Sequence, residues 1–366
     1  MNAIQETKDD VFFRRILANQ SEARRRVNEA MARVLSAYVP TRFTRLVDEQ
    51  LDWLFDTMTL ELGRQPGVPH PEEAVRGGRA FVLVGEAGAG KSRTLRHAFR
   101  TRPEFSGSEE GIHASSLLSV VAPSPFTMGA LGNEIVRKLG YATNRDIPHS
   151  KVWPFVRSLI KEQQIRIIHI DEGQHGDELA SAGLLQEMEN TLKRMMEEAD
   201  WPTWLILSGG PALASFCQAD PSMRRRVRVL RCQPLSLADH GEDVKQIVRL
   251  IGKECSSIRC EQILTVDFVG RLLHAAVHQF GIVIEFVQDA FGECLAASHD
   301  TLSLSHFADV YTARTGEPAD DLNPFLARDW ASIPVEEALF EKFADGRSNR
   351  GGRAHLKDRC TKGALS

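Results

Sequence analysis

A run of small residues followed by a lysine and a serine is the part of this sequence whose spacing most directly predicts chemistry. Residues 85–92 fit the pattern G-x-x-x-x-G-K-[ST] at each fixed position. Small residues let the backbone curl until successive N–H groups face a phosphate, and the helix that follows adds the positive end of its dipole. Lys91 then reaches the β- and γ-phosphates, and the Ser92 hydroxyl is a ligand of Mg²⁺. The pattern predicts a site for ATP with magnesium. The residues expected to line it are Gly85, Glu86, Ala87, Gly88, Ala89, Gly90, Lys91, Ser92 and Arg93.

Two adjacent carboxylates follow an apolar run about 80 residues later. Asp171 and Glu172 end the segment I-R-I-I-H-I-D-E. In P-loop ATPases an acid at such a strand end holds magnesium, which is the role expected of Asp171. Glu172 can then orient and deprotonate the attacking water. An aspartate after a strand is also a common helix N-cap, so the pair gains its meaning from the P-loop that precedes it.

A serine and a cluster of arginines are further candidates. Ser208 ends another apolar run, where it could hold the attacking water or the γ-phosphate, or cap the helix that Pro211 begins. Five arginines with no acid lie within 221–231. One of them could reach the nucleotide of a neighbouring subunit as an arginine finger, or they could form a solvated basic face. Apolar and basic residues alternate along 226–231, which predicts that Arg226 points outward.

These side chains need a scaffold that brings distant segments together. Short apolar runs alternate with amphipathic helical patterns from residue 80 onward, which predicts a doubly wound α/β fold with a parallel sheet. The five predicted strands are Ala80–Val84, Leu117–Ala122, Ile165–Ile170, Thr203–Ser208 and Arg226–Cys232. Beyond Pro234 the strand patterns stop, and 241–313 predicts four short helices.

The chain accordingly divides into five predicted segments. They are a helical N-terminal arm at 1–61, a Gly- and Pro-rich linker at 62–79, a P-loop ATPase core at 80–234, a helical lid at 235–315, and a partly disordered tail at 316–366 expected to dock a partner.

Composition narrows the function classes. The chain has 366 residues, 42% of them hydrophobic, with a net charge of −4, so any nucleic-acid surface must be a local basic patch. Arg14 to Arg45 holds eight arginines and two glutamates, which suits either a phosphate backbone or a protein partner. The six cysteines lack zinc-site spacing. No secretory or membrane-spanning pattern is visible, so a cytoplasmic location is expected.

With these residues in hand, the chain resembles the TniB and TnsC group of AAA+ ATPases, which regulate target selection in DNA transposition. The resemblance runs from about Val39 to about Trp330. Besides the P-loop and the acid pair, four stretches carry it: Val39–Phe43, Ala122–Pro125, Asp220–Val227 and Asn323–Phe325 with Asp329–Trp330.

The resemblance implies an AAA+ P-loop fold with a helical lid, and assembly on double-stranded DNA as a ring or helical filament in the ATP state. It further implies backbone contacts without sequence preference, recruitment of a DDE-type transposase, and Arg226 as the finger that acts in trans. It also brings the loop at 124–127 near DNA. Relatives often carry an arginine near the position of Gly281, and this chain has no basic residue there, so slow hydrolysis is expected. An arginine finger that acts in trans would also make hydrolysis depend on assembly. Two alternatives stay open: a helicase-loader or replication-initiation ATPase, and a nucleotide-gated scaffold with negligible turnover.

Overall fold

The computed structural model describes residues 8–63, 77–106, 116–141, 145–171, 182–255, 258–316 and 319–335. The strands are β1 Ala80–Val84, β2 Leu117–Val121, β3 Ile167–Asp171, β4 Trp204–Gly209 and β5 Val227–Arg231. The helices before β3 are α1 Lys8–Ala18, α2 Glu22–Ser36, α3 Arg42–Leu62, α4 Lys91–Thr101, α5 Met128–Lys138 and α6 His149–Glu162. Those after it are α7 Ala182–Glu197, α8 Pro211–Ala219, α9 Pro221–Arg224, α10 Leu237–Glu254, α11 Val266–Ala275, α12 Phe280–Ala296 and α13 Leu304–Thr315.

The five strands form one parallel sheet in the order β2-β3-β4-β1-β5. This confirms the predicted fold class, with strand ends that differ from the predicted ones by one or two residues. Asp171 is the last residue of β3, and Arg226 lies just before β5 rather than inside it. Hydrophobic runs without alternation are expected of parallel strands, since helices cover both faces.

The pleat divides the side chains of the sheet between two apolar layers. Val82 and Val84 of β1, with Ile168 and Ile170 of β3, face the layer that also contains residues of α5, α6, α7 and α8. Phe81 and Leu83 face the opposite layer, which is formed with α3 and α4. Alternate residues of β3 therefore point toward α4, the helix that follows the P-loop.

The chain divides into two compact units. One unit is Pro40–Pro234 and contains the sheet, and the other combines Met1–Val39 with Leu235–Ser366. The boundary between Val39 and Pro40 cuts through the segment 1–61 that was predicted as one arm. As functional domains, the five predicted segments stay predictions; most of the linker and the end of the tail lie outside the described residues.

The second unit, called here the helical unit, is built from α2 and α10 to α13. Val34 of α2 is fully buried, and its carbonyl oxygen accepts a hydrogen bond of 2.9 Å from the buried Gln288 side chain of α12. The four helices predicted within 241–313 are α10 to α13, and Gly281 lies in the first turn of α12. Among the described residues, no helix combines the length and hydropathy that crossing a membrane requires.

Candidate nucleotide site

The strand order places three functional segments at one edge of the sheet. β1, β4 and β3 are neighbours, so their carboxyl ends, which carry the P-loop, Ser208–Gly209 and Asp171, lie side by side. The register pairs Val84 with Gly209, and the Gly85 N–H donates to the Gly209 carbonyl oxygen at 3.1 Å. Ligands of open α/β sheets bind outside the carboxyl ends of the strands. The fold therefore brings together residues that are far apart in sequence.

The P-loop has the backbone that phosphate binding requires. At Gly85 a β-carbon would lie 2.6 Å from the Cys232 β-carbon, so the start of the loop has no room for a side chain. Gly90 adopts a left-handed φ of 87° as the N-cap of α4, without a side-chain capping bond. The first N–H groups of α4 therefore point into the loop without a capping side chain, and the tip at Glu86 and Ala87 is exposed.

Lys91 is folded back over this loop. Its Nζ donates to the carbonyl oxygens of Gly85 and Glu86 at 2.7 and 2.9 Å. Ser92 and Arg93 follow in the first turn of α4, both partly buried. The ammonium thus lies against the loop backbone, and its contact with the β- and γ-phosphates stays a prediction.

Asp171 is held by the neighbouring strand. The Ser208 hydroxyl is fully buried and donates to Asp171 Oδ1 at 2.5 Å. The alternative that Ser208 caps the following helix is wrong, because Gly210 is the N-cap of α8. Ser208 thus contacts the predicted magnesium ligand, and its predicted contact with the attacking water or the γ-phosphate stays a prediction. Glu172, the predicted base, lies outside the described residues.

A buried histidine extends this contact across the sheet, and the sequence interpretation did not single it out. His169 Nε2 lies 3.0 Å from Ser208 Oγ, and its Nδ1 lies 2.8 Å from Ser119 Oγ on β2. Burial lowers the pKa of His169 to about 4, although the Asp171 charge opposes the shift, so the ring is neutral near pH 7. A signal was available, since one imidazole interrupts an apolar strand two residues before Asp171, on the same face.

Magnesium fits the oxygen donors of this site. In the described part of the chain, no group of three or more His, Cys, Asp or Glu side chains could form a metal cage. Mg²⁺ does not need one, because it binds one or two protein oxygens together with substrate phosphates and water. Ser92 and Asp171, the two predicted ligands, carry hard oxygen atoms of that kind.

The arginines near β5 differ in their surroundings. The Arg226 side chain is only 12% exposed and pairs with Glu197 of the same chain at 2.8 Å, so the expectation that it points outward is wrong. Arg224 donates from Nε and Nη2 to the Gln218 carbonyl oxygen. Arg225 is exposed, at the end of α9.

The comparisons with known proteins agree with this architecture. A family model described as an AAA domain matches residues 75–216. The ORC2 protein of Aeropyrum pernix, in ADPNP and ADP complexes, is 14% identical with a TM-score of 0.52, over 77% of this chain and 71% of that chain. The Aeropyrum pernix ORC1 protein in complex with DNA is 13% identical with a TM-score of 0.52, over 80% and 70%. No curated protein matches the chain.

Identities this low establish the fold alone. A third similar structure, the Thermotoga maritima RuvB Holliday junction branch migration motor, is 11% identical with a TM-score of 0.41, over 75% of this chain and 70% of that chain. Together with the sheet order, the AAA domain match shows an α/β fold of the AAA+ P-loop NTPase type.

Proposed function

We propose that this chain is a magnesium-dependent ATPase that acts on DNA as a regulator of transposition. The ATPase part rests on one observation: the P-loop and the Asp171–Ser208 pair lie at the adjacent carboxyl ends of β1, β3 and β4. A glycine-rich cradle and a partly buried, hydrogen-bonded carboxylate at this edge are the two halves of a nucleoside triphosphate site.

Each residue has a defined task in this proposal. The P-loop amides from Gly85 to Arg93 and the Lys91 ammonium bind the β- and γ-phosphates. Ser92 and Asp171 hold Mg²⁺, which draws charge from the phosphates when bound. Glu172 orients and deprotonates the attacking water. Ser208 keeps Asp171 oriented.

An arginine of the α9 region completes the site in a neighbouring subunit. Arg226 was the first candidate, but its ion pair with Glu197 and its burial favour a structural task. Arg225 is exposed one position earlier, so we propose that Arg225 approaches the γ-phosphate in trans. Hydrolysis then depends on assembly, and it is slow in the isolated chain.

The DNA and transposition part rests on the resemblance to TniB and TnsC proteins. Arg24, Arg25 and Arg26 are all exposed on α2, within the stretch from Arg14 to Arg45 that holds eight arginines and two glutamates. We propose that they contact the phosphate backbone of double-stranded DNA without sequence preference, that ATP promotes a ring or filament on the DNA, and that the assembly recruits a DDE-type transposase.

Calorimetry of nucleotide binding tests the ATPase proposal. Lys91→Ala should abolish the heat of MgATP binding, whereas the exposed Lys138→Ala on α5 removes the same charge elsewhere and should bind as wild type does. Glu172→Gln should bind MgATP but stop turnover and accumulate assemblies. The proposal fails if Lys91→Ala binds normally, and the scaffold alternative gains if Glu172→Gln changes neither turnover nor disassembly.

Light scattering and electron microscopy with ATP and non-specific duplex DNA test the assembly. Replacing Arg24 and Arg25 by alanine should weaken DNA binding and reduce the slope of log K against log salt by about 2. Arg145→Ala removes an exposed charge from the other unit and should change the slope little. Only monomers with ATP and DNA present would contradict the proposal; capture of a replicative helicase instead of a transposase would favour the loader alternative.

A further inference from the structure

A row of four polar side chains crosses the sheet beneath the nucleotide site. Ser119 of β2, His169 of β3 and Ser208 of β4 follow one another at 2.8 and 3.0 Å, and Ser208 reaches Asp171 at 2.5 Å. The row starts at the exposed Ser119 on the edge strand and ends at the predicted magnesium ligand. His169 and Ser208 are buried, at 3% and 0% exposure.

The chemistry of the groups fixes the direction of every hydrogen bond. An ionised carboxylate only accepts, so the Ser208 proton goes to Asp171. The Ser208 oxygen then accepts from His169, whose Nε2 must carry the ring proton. His169 Nδ1 is left as an acceptor, and the Ser119 hydroxyl donates to it. All three bonds point toward Asp171, an arrangement in which each bond polarises the next.

Packing alone does not explain a histidine at this position. Its strand neighbours Ile168 and Ile170 are apolar and buried, and its ring lies edge-on to Phe99 of α4 at 5.1 Å between centroids. An apolar side chain would suit these surroundings without the loss of hydration that a buried imidazole incurs. The two hydroxyl partners are what compensates that loss.

We propose that His169 is a positioning residue for Asp171. As the Nε2–H tautomer, it holds the Ser208 hydroxyl in the one orientation that donates to Asp171 Oδ1, and so fixes the orientation of the carboxylate that binds magnesium. Without His169, the Ser208 hydroxyl can rotate toward backbone carbonyls and release Asp171. This inference rests on the proposed MgATP site, and it adds a partner on the same strand that supports the metal ligand through Ser208 of the neighbouring strand.

The ratio of ATP affinity in excess Mg²⁺ to ATP affinity in EDTA tests this role. His169→Phe keeps a planar ring but removes the donor, so the ratio should fall about tenfold, the lower range for loss of a group that orients a metal ligand. The affinity in EDTA should stay within about twofold, because the P-loop is untouched. His169→Gln restores an N–H donor near the Nε2 position and should recover most of the ratio.

Ile167→Ala is the matched control. Ile167 is buried on the same face of β3 and belongs to the apolar layer there, so its truncation should lower the melting temperature and leave the affinity ratio unchanged. The inference is wrong if His169→Phe behaves like Ile167→Ala, or if His169→Gln loses as much of the ratio as His169→Phe. If wild type shows no magnesium-dependent gain in affinity, the proposed function fails instead.

Nitrogen-15 NMR of histidine-labelled, nucleotide-free wild type gives a readout that needs neither metal nor activity. The signal absent from His169→Gln should show a protonated Nε2 and an unprotonated Nδ1, with slow exchange of the Nε2 proton. An Nδ1–H tautomer would reverse the direction of the row and overturn the inference, even if the phenylalanine variant does not fold.

Discussion

At the scale of single residues, three consecutive arginines show how packing separates similar side chains. Arg224 closes the α8–α9 turn through the Gln218 carbonyl oxygen, and Arg226 is held against Glu197 of α7. Arg225 between them is exposed. The sequence alone does not distinguish the three arginines. Their contacts do, because Arg224 and Arg226 bind groups of their own chain and the exposed Arg225 can reach a partner.

The contrast between Arg226 and Arg225 is testable. Arg226→Ala should cost about 1 kcal/mol of unfolding free energy, because it removes a mostly buried partner of Glu197. Chemical denaturation of Arg226→Ala, Glu197→Ala and the double variant should show a favourable coupling energy for the pair.

Arg225→Ala is the counterpart in that experiment. Its unfolding free energy should be unchanged, and the ATPase rate of the assembled protein should fall on the order of 10³-fold, as on loss of an arginine finger. If Arg225→Ala keeps full activity while Arg226→Ala loses it without loss of stability, Arg226 is the finger.

At the scale of elements, α3 is part of the sheet-containing unit. Leu51 and Leu54 are fully buried against the layer formed by β1 and α4, and the Trp204 indole N–H donates to Thr57 at 2.9 Å. Helix α3 therefore supports β1, the strand that leads into the P-loop.

Substitutions of two leucines test how much the docking of α3 contributes to stability. Leu54→Ala should cost about 3 kcal/mol of unfolding free energy, through lost burial and the cavity it leaves. Leu60 is 65% exposed on the same helix, and Leu60→Ala should change the value by less than about 0.5 kcal/mol. Equal losses in urea denaturation would show that α3 is not docked as described.

The cap of α9 positions the arginine segment. Asp220 accepts from the N–H groups of Ser222 and Met223 at 2.8 and 2.9 Å, and Lys193 lies 2.7 Å away. The hydrogen bond from Lys193, followed by that from Met223, holds the pKa of Asp220 below its ordinary 3.8. A carboxyl group whose pKa is lower in the folded chain than in the unfolded chain stabilises the fold at pH values above its unfolded pKa. This stabilisation is lost as the pH falls through the folded pKa.

Substitutions of Asp220 follow from this cap. Asp220→Ala should lower the melting temperature at pH 7, and Asp220→Asn should lower it less, since asparagine still caps a helix. Thermal melts at pH 7 and below pH 3 give the check. The difference between wild type and Asp220→Asn should shrink at the lower pH, and a constant difference would contradict the ionic contribution.

At the scale of the whole molecule, the helical unit is assembled from both ends of the chain. Val34 and Val39 belong to the same apolar core as residues of α10, α12 and α13. The sheet-containing unit is the continuous segment between them, residues 40–234. Stability of the helical unit therefore depends on residues that lie more than 200 positions away in sequence.

Val34 and Leu35 test this division on neighbouring positions. Val34→Ala should cost about 2 kcal/mol and raise hydrogen exchange in α10 and α12, with no change in β1 and β3. Leu35 is 53% exposed, and Leu35→Ala should leave exchange as in wild type. Increased exchange in the strands of Val34→Ala would mean that the two units do not unfold separately.

Local patterns determined much of this protein. The P-loop, the strand before it, the acid at the end of β3 and the alternation of strands and helices all depend on residues close together in sequence, so spacing alone predicted them. Only the tertiary structure decided which distant residues meet: His169 with Ser208, Arg226 with Glu197, and Val34 with Gln288. Strand order and helix docking set those contacts. Both depend on the apolar surface that the whole chain buries, which no short sequence pattern encodes.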